Sequence, residues 1–314
     1  MLKLDALATF VQVAEAGSIS EAARRQRLAK SVVSERLSEL ERGLGAVLLH
    51  RSARKLSLTE DGVAFLERAA RIVRDVEEAA AELAERRGSL TGPLRLSAPV
   101  TFGRMHLGPA LYPFLAAHPG IALALELDDR RVDIAAEGYD AAIRHGPVED
   151  SRLVALRLAT SRRCLVASPD YLARCGTPRS IAELEGHGGI FYAHRGVADW
   201  RLIGADGPVL VRARVALSVN NGDIMRDAAV AGLGIALLPS FIAGAALRTG
   251  ALMPIHLGAE PEPEYVVLAH AERGRSSAKL RALVAHLRRA FGDPPVWDRD
   301  GISPDAASPT PRPG

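Results

Sequence analysis

The residues best equipped for chemistry stand early in the chain. Between residues 24 and 55 there are nine cations (Arg24, Arg25, Arg27, Lys30, Arg36, Arg42, Arg51, Arg54 and Lys55) and three acids, Glu35, Glu39 and Glu41. That local excess of six positive charges sits in a chain of 314 residues whose formal net charge is only +3. Cations packed this densely suit a phosphate backbone, because each neutralised phosphate releases condensed counterions. Lys30, Ser31 and Ser34 add hydrogen-bonding groups able to address base edges. A charge run is equally well a solvated face, so the choice depends on the elements that carry it.

Those elements are helical. Leu4, Leu7, Phe10, Val11 and Ala14 recur at three and four residues and predict a first core helix that Gly17 ends. Ser18-x-x-Glu21 predicts a capping box opening a second helix, with Ala22, Ala23 and Leu28 inward and Arg24, Arg25 and Arg27 outward. A tight connection near Leu28-Ala29 leads to a third helix beginning at Lys30-Ser31, with Val33, Leu37 and Leu40 inward. Residues 18–40 therefore have the layout of a helix-turn-helix reader of the DNA major groove, and an ordinary helical hairpin fits the same stretch. Val47-Leu48-Leu49 and Lys55-Leu56-Ser57-Leu58 predict a hairpin whose Arg51 and Arg54 form a basic wing. Thr59, followed by Glu60 and Asp61, caps a long helix running to about residue 87. Along it Leu66, Ala69, Val73, Val76, Ala80 and Leu83 form a heptad seam, the pattern of a helix that pairs with a copy of itself.

After Ser89-Leu90-Thr91-Gly92-Pro93 the texture changes to α/β. Strands are predicted over 94–98, 121–127, 140–144, 153–158, 164–168, 190–191, 209–219, 235–238 and 265–270. The helices between them imply mostly parallel sheet. Residues 277–291 form an amphipathic helix, and the Pro-, Asp- and Ser-rich stretch 293–314 is expected to be disordered. With 48% hydrophobic and 25% charged residues, the composition is that of a soluble globular protein. Two cysteines, Cys164 and Cys175, are too few for a disulfide framework and suit a reducing cytoplasm. Neither a signal peptide nor a membrane span is expected.

Several functions lose ground here. The sequence has no P-loop, no G-x-S-x-G elbow and no H-E-x-x-H, and its nine histidines are scattered, so enzymatic activity is not expected. Gly232-x-Gly234 precedes a strand rather than following one, which excludes a dinucleotide fingerprint. A thiol redox switch using Cys164 and Cys175 stays open as an alternative. A purely architectural DNA binder does not account for two hundred residues of α/β domain.

The first ninety or so residues resemble LysR-type transcriptional regulators. The likeness is carried by Phe10-Val11-x-Val13-Ala14-Glu15-x-Gly17-Ser18, Ala22-Ala23-Arg24-Arg25, Val33-Ser34, Leu40-Glu41-x-x-Leu44-Gly45, Leu49-x-Arg51-x-x-Arg54 and Leu56-x-Leu58-Thr59-x-x-Gly62. The remainder is similar to the effector domain of that family. The resemblance implies an N-terminal winged helix-turn-helix over 1–59 and a linker and dimerisation helix over 60–88. It implies a C-terminal α/β, periplasmic-binding-protein-like effector domain over 92–292. Its two subdomains would be residues 92–161 with 265–292, and 162–264, joined by crossovers near 159–163 and 261–265. A cytoplasmic transcription factor is implied, binding double-stranded DNA as a homotetramer built from two dimers, with RNA polymerase a candidate further partner. No cofactor is implied beyond a small-molecule effector, expected to be anionic or aromatic.

On this reading Lys30, Ser31, Ser34 and Arg36 meet DNA from the recognition helix, and Arg51, Arg54 and Lys55 from the wing. Ser97, Thr101, Ser168, Asn220 and Asn221, at strand-to-helix junctions, are the candidates for holding the effector, with Arg144 and His145 facing them. Each junction residue is equally a helix cap or turn. The sequence departs from the family pattern at Ala29, Lys30 and Glu35, where Ser, Gln and Arg are common. Its operator preference should depart accordingly.

Overall fold

The computed structural model describes residues 2–51, 56–85, 90–146, 150–195, 200–205, 207–271 and 277–299. The chain divides into two compact units at residues 92 and 93. In the first, α1 (Leu4–Ala16), α2 (Ile19–Gln26) and α3 (Lys30–Leu44) bury Phe10, Val13, Ala22, Val33, Leu37 and Leu40 against one another. Ser18 accepts from the Glu21 N–H at 3.4 Å, but the expected return bond is not made. The Glu21 carboxylate turns instead to Arg25 at 3.0 Å and to Arg24, two cations one helical turn away that compete with the backbone donor. The turn after α2 is closed by the Leu28 N–H on the Ala23 carbonyl at 2.9 Å. This places Arg27 at φ 55°, a left-handed conformation that costs roughly 1 kcal/mol for a residue with a Cβ.

The wing is β1 (Leu49–Arg51) paired antiparallel with β2 (Leu56–Leu58), Leu49 opposite Leu58. Arg54 and Lys55, proposed as wing contacts, lie outside the described residues. Two polar ties hold the wing to the helices. The Glu41 carboxylate accepts from the N–H groups of Leu48 and Leu49 at 2.9 and 3.2 Å. Thr59 donates to the Val47 carbonyl at 2.7 Å and accepts from the Gly62 N–H at 2.9 Å, which caps α4 (Glu60–Glu85). A Cβ on Gly62 would stand 2.1 Å from the Leu48 carbonyl oxygen, so only glycine lets α4 start this close to the wing.

The seam expected along α4 divides. Leu66, Ala69 and Val73 pack into the three-helix core, and Phe65 meets Phe10 at 5.8 Å between ring centroids. The helix leaves the wing directly over that core and has to seal it. The large apolar residues left exposed along it are Val63, Ile72 and Val76, while the Leu83 side chain lies outside the described residues.

The second unit has two α/β halves. From β3 (Gly92–Ala98) the chain enters α5 (Val100–Phe102), which runs through a π turn over Gly103–Leu107 into α6 (Gly108–Ala117). It returns along β4 (Ile121–Leu127), β5 (Ala141–His145) and β6 (Leu153–Ser161). At Arg162 it crosses to the other half: β7 (Arg163–Ala167), α7 (Pro169–Cys175), β8 (Gly188–Tyr192), β9 (Arg201–Gly204), β10 (Gly207–Leu210), β11 (Arg214–Val219), α8 (Gly222–Val230), β12 (Ile235–Pro239), α9 (Ser240–Arg248), β13 (Met253–Pro254) and β14 (Glu260–Pro261). β15 (Glu264–Ala271) re-enters the first half, and α10 (Ala278–Phe291) packs on β6 and α6.

The first sheet has the order β4-β3-β5-β15-β6 and the second β11-β8-β12-β7-β13. Both are mixed rather than mostly parallel. β15 runs antiparallel to β5 and β6, and β7 antiparallel to β12, while β3–β5, β8–β11 and β8–β12 are parallel. The exceptions are the crossover strands, which enter each sheet from the far end. The stretch expected to be disordered from residue 293 also needs correction. Residues 296–298 form a 3-10 turn that buries Trp297, whose large ring supplies apolar area that the average composition of the tail conceals. Residues 300–314 lie outside the described residues.

The Gly62–Leu48 approach gives a direct test. Gly62→Ala must push α4 off the wing, at a cost of about 2 kcal/mol. Urea denaturation followed by far-ultraviolet circular dichroism should show the helical N-terminal transition moved to lower denaturant.

Candidate nucleic-acid interface and ligand cleft

The outer face of α3 is built by subtraction. Val33, Leu37 and Leu40 go to the core, which leaves Lys30, Ser31, Glu35 and Arg42 exposed, with Ser34 and Ser38 half-buried. Ala29 supplies no side-chain cap, so the first N–H groups of α3 are left for an external acceptor, beside Lys30, at the positive end of the helix dipole. Arg36 does not join this face. Its guanidinium turns inward to the Asp5 carboxylate at 3.3 Å and the Thr9 hydroxyl at 3.4 Å, because position 36 falls between the buried positions 33, 37 and 40. Thr9, buried in α1, donates to the Asp5 carbonyl at 2.7 Å and lies 3.2 Å from Gln26 Oε1 at the end of α2. Arg36 is therefore a strut joining α3 to α1, a role the sequence reading missed. Arg51 stands in β1 opposite Leu56.

In the second unit a cleft opens between the two α/β halves. Thr101, Phe102, Asp128–Arg131, Arg144 and His145 line it from the first half. Arg163, Tyr192, Arg195, Met225, Leu237 and Phe241 line it from the second, with Glu264 at the start of β15. Thr101, Arg144 and His145, three of the expected effector residues, are among the lining. The other four are not. Ser97 is fully buried in β3. Ser168 caps α7 by accepting from the Tyr171 N–H at 3.3 Å. Asn220 is exposed at the end of β11. Asn221 caps α8, accepting from the N–H groups of Asp223 and Ile224, and its amide donates to Asp129 at 3.1 Å. It acts on the cleft indirectly, as one of two ties across the mouth. The second tie is Asp223, which takes the Thr101 hydroxyl at 3.0 Å and Arg104 at 3.1 Å.

The cleft is positive: five arginines face three carboxylates. Burial pushes the Glu264 carboxyl upward, yet the charge of Arg163 and the hydrogen bond from Arg195 outweigh it and hold the group below the usual carboxylate range. Burial works the other way on His145, stacked on Phe241 at 4.9 Å and edge-on to Phe102 at 5.1 Å. It drives the imidazole pKa down to about 4, so the ring is neutral near pH 7. Both His145 ring nitrogens, and Nη2 of the neighbouring Arg144, are buried without a hydrogen-bond partner in the protein. A buried polar atom left unpaired is costly, and three of them at one cleft wall favour a polar ligand. Asp128-Asp129-Arg130-Arg131, directly after a predicted strand, was a readable signal for this site. Arg163, Arg195 and Glu264 come from three distant segments and gave none.

The cysteines do not suit a redox switch. Burial raises the Cys164 thiol to about 12, where it donates weakly to the Leu238 carbonyl at 3.6 Å. Cys175 is exposed at the end of α7, and both are free thiols.

Comparison with known proteins fits both halves of this description. Residues 4–63 match the family model of the bacterial regulatory helix-turn-helix protein, lysR family, and residues 87–292 match the LysR substrate binding domain. An HTH-type transcriptional regulator of Haemophilus influenzae is 36% identical over 258 residues, covering 81% of this chain and 89% of that protein. The HTH-type transcriptional regulator DmlR of Escherichia coli is 33% identical, covering 92% and 95%. The solved structure of CrgA, a LysR-type transcriptional regulator from Neisseria meningitidis, superposes with a TM-score of 0.57 at 30% identity, covering 92% of this chain and 99% of that one.

The environment of His145 predicts a pH dependence of stability. The group binds a proton in the unfolded chain near pH 6.5 but in the folded chain only near 4. Stability is therefore complete above about pH 6.5, falls as pH drops toward 4, and levels off below. The loss attributable to His145 is about 3 kcal/mol. His145→Phe keeps the ring cluster and should remove that component, so denaturation midpoints of variant and parent should diverge between pH 7 and 4.5.

Proposed function

This chain belongs to the LysR family of bacterial transcriptional regulators, and on that premise we propose how its own residues read DNA and sense a ligand. It is a DNA-binding regulator with a ligand-binding domain. Lys30, Ser31 and Ser34, with the uncapped start of α3, meet the major groove, and Arg51, Arg54 and Lys55 reach phosphate or the minor groove from the wing. Arg36 contributes by fixing the angle of α3. Glu35, exposed on the same face, repels phosphate and accepts from the amino group of cytosine. The exposed Ile72 and Val76 on α4 support pairing with a second copy, so that two readers address a partly palindromic site. A dimer of dimers and contact with RNA polymerase extend that reading. Among the described residues no helix is long and apolar enough to cross a membrane, and a regulator that binds promoter DNA works in the cytoplasm.

The ligand is a compact anion with an apolar or aromatic body. The observation that carries this is the pairing of Arg144 and His145: an unpaired buried guanidinium nitrogen beside a neutral imidazole with both nitrogens free. An oxyanion satisfies Arg144, and the neutral His145 donates or accepts one further hydrogen bond. Phe102, Met225, Leu237 and Phe241 cover the body of the ligand.

The test pairs small carboxylates with their uncharged amides in thermal-shift titrations of the full-length protein. Stabilisation should concentrate among carboxylates, scale as RT ln(1 + [L]/Kd), and vanish in Arg144→Met. Equal shifts from acids and amides, or a full response in Arg144→Met, would contradict the assignment.

A further inference from the structure

The segment 293–299 follows the stretch matched by the LysR substrate binding domain, which ends at 292. Trp297 is only 7% exposed and sits in an aromatic cluster drawn from both halves of the cleft. Its ring centroid lies 5.8 Å from Phe102, 4.8 Å from His106 and 5.4 Å from Phe291, all in the first half. It lies 6.1 Å from Phe241, near the start of α9 in the second. One residue on, the Asp298 side chain is 2% exposed and 4.0 Å from Arg162, the residue at which the chain first crosses between the sheets. A single short segment thus touches the first half, the second half and one crossover.

Phe102 and Phe241 also form the wall of the cleft and hold the His145 ring between them. Two-lobed domains open and close by flexing at their crossovers. Any rotation that separates Phe241 from Phe102 has to pull Trp297 off one of them. Packed aromatic clusters resist such separation as discrete contacts rather than as a soft spring.

We propose that residues 293–299 are a clasp that couples the first crossover, at Arg162, to the cleft wall, with Trp297 a positioning residue for Phe241 and, through it, for His145. The clasp sets how readily the two halves part. It acts from behind the ligand and touches none of it.

Hydrogen–deuterium exchange on the full chain tests this without any ligand, so its failure is separable from failure of the anion assignment. The parent is compared with Trp297→Ala, with Trp297→Phe and with a chain ended at Gly292. Trp297→Ala and the shortened chain should exchange about tenfold faster or more at residues 161–163 and α9. Trp297→Phe should stay near the parent, and β3, β5 and the N-terminal helices should be unchanged. Unaltered exchange at residues 161–163 and α9 would overturn the clasp. An equal acceleration across the whole unit would also overturn it, since it would make Trp297 ordinary core. Should Trp297→Ala not fold, Asp298→Ala leaves the rings in place and should accelerate residues 161–163 alone. No acceleration there counts against the proposal.

Discussion

The C-terminal unit depends on one buried charge. Glu264 opens β15, where the chain returns to the first sheet, and Arg163 opens β7, where it left. Their side chains, 8% and 5% exposed, meet at 3.3 Å. Arg195 joins the same carboxylate and also donates to the His145 carbonyl at 3.3 Å. Both crossovers and the wall of the cleft are therefore tied to a single carboxylate. Removing either partner would leave an uncompensated charge in a poorly solvated place, a far larger penalty than the pair itself gains. This tie fixes where the two halves meet, while Nη2 of Arg144 is left buried without a hydrogen-bond partner in the protein. A positive cleft with neutral His145 at its back follows from that arrangement.

The N-terminal unit solves a similar problem with weaker groups. A reading helix must present its N-terminus and one face at a fixed angle, yet its core contacts are three side chains deep. The Asp5–Thr9–Arg36 network and the Glu41 bonds to Leu48 and Leu49 supply the direction that apolar packing lacks, since hydrogen bonds have geometry and hydrophobic contacts do not. Thr59 and Gly62 then launch α4 from the wing in one orientation. The family signature residues Glu41, Thr59 and Gly62 thus do their work inside the unit, and the residues left exposed are free to differ between operators.

Much of this was legible in the residues themselves. The N-terminal helices, the wing hairpin, the long helix and the change to α/β follow from period, caps and charge, whereas the DNA reader and the two-subdomain division came from the family resemblance. The site was legible only in part, for physical reasons. Ser168 and Asn221 cap helices, and a hydroxyl or amide at a strand-to-helix junction looks the same whether it serves a backbone N–H or a ligand. Arg36 reads as an outward cation because charge suggests solvent, but its position lies between core residues and a carboxylate waits on α1. Arg163, Arg195 and Glu264 are meaningless until the fold brings them together. Trp297 was hidden by the polar company it keeps in sequence. The mixed sheets were missed because strand direction depends on where crossovers enter, which periodicity does not record.

If the proposed anion occupies the Arg144–His145 cleft of a regulator that reads DNA as a pair, its binding changes how the two readers engage their site. Footprinting of the intergenic DNA beside the protein's own gene tests it most directly, with and without a carboxylate that stabilises the protein. The account predicts protection of paired half-sites spaced by whole helical turns, whose extent changes on adding the anion in the parent and stays fixed in Arg144→Met. A footprint that ignores every anion, or one that responds equally in Arg144→Met, would contradict it.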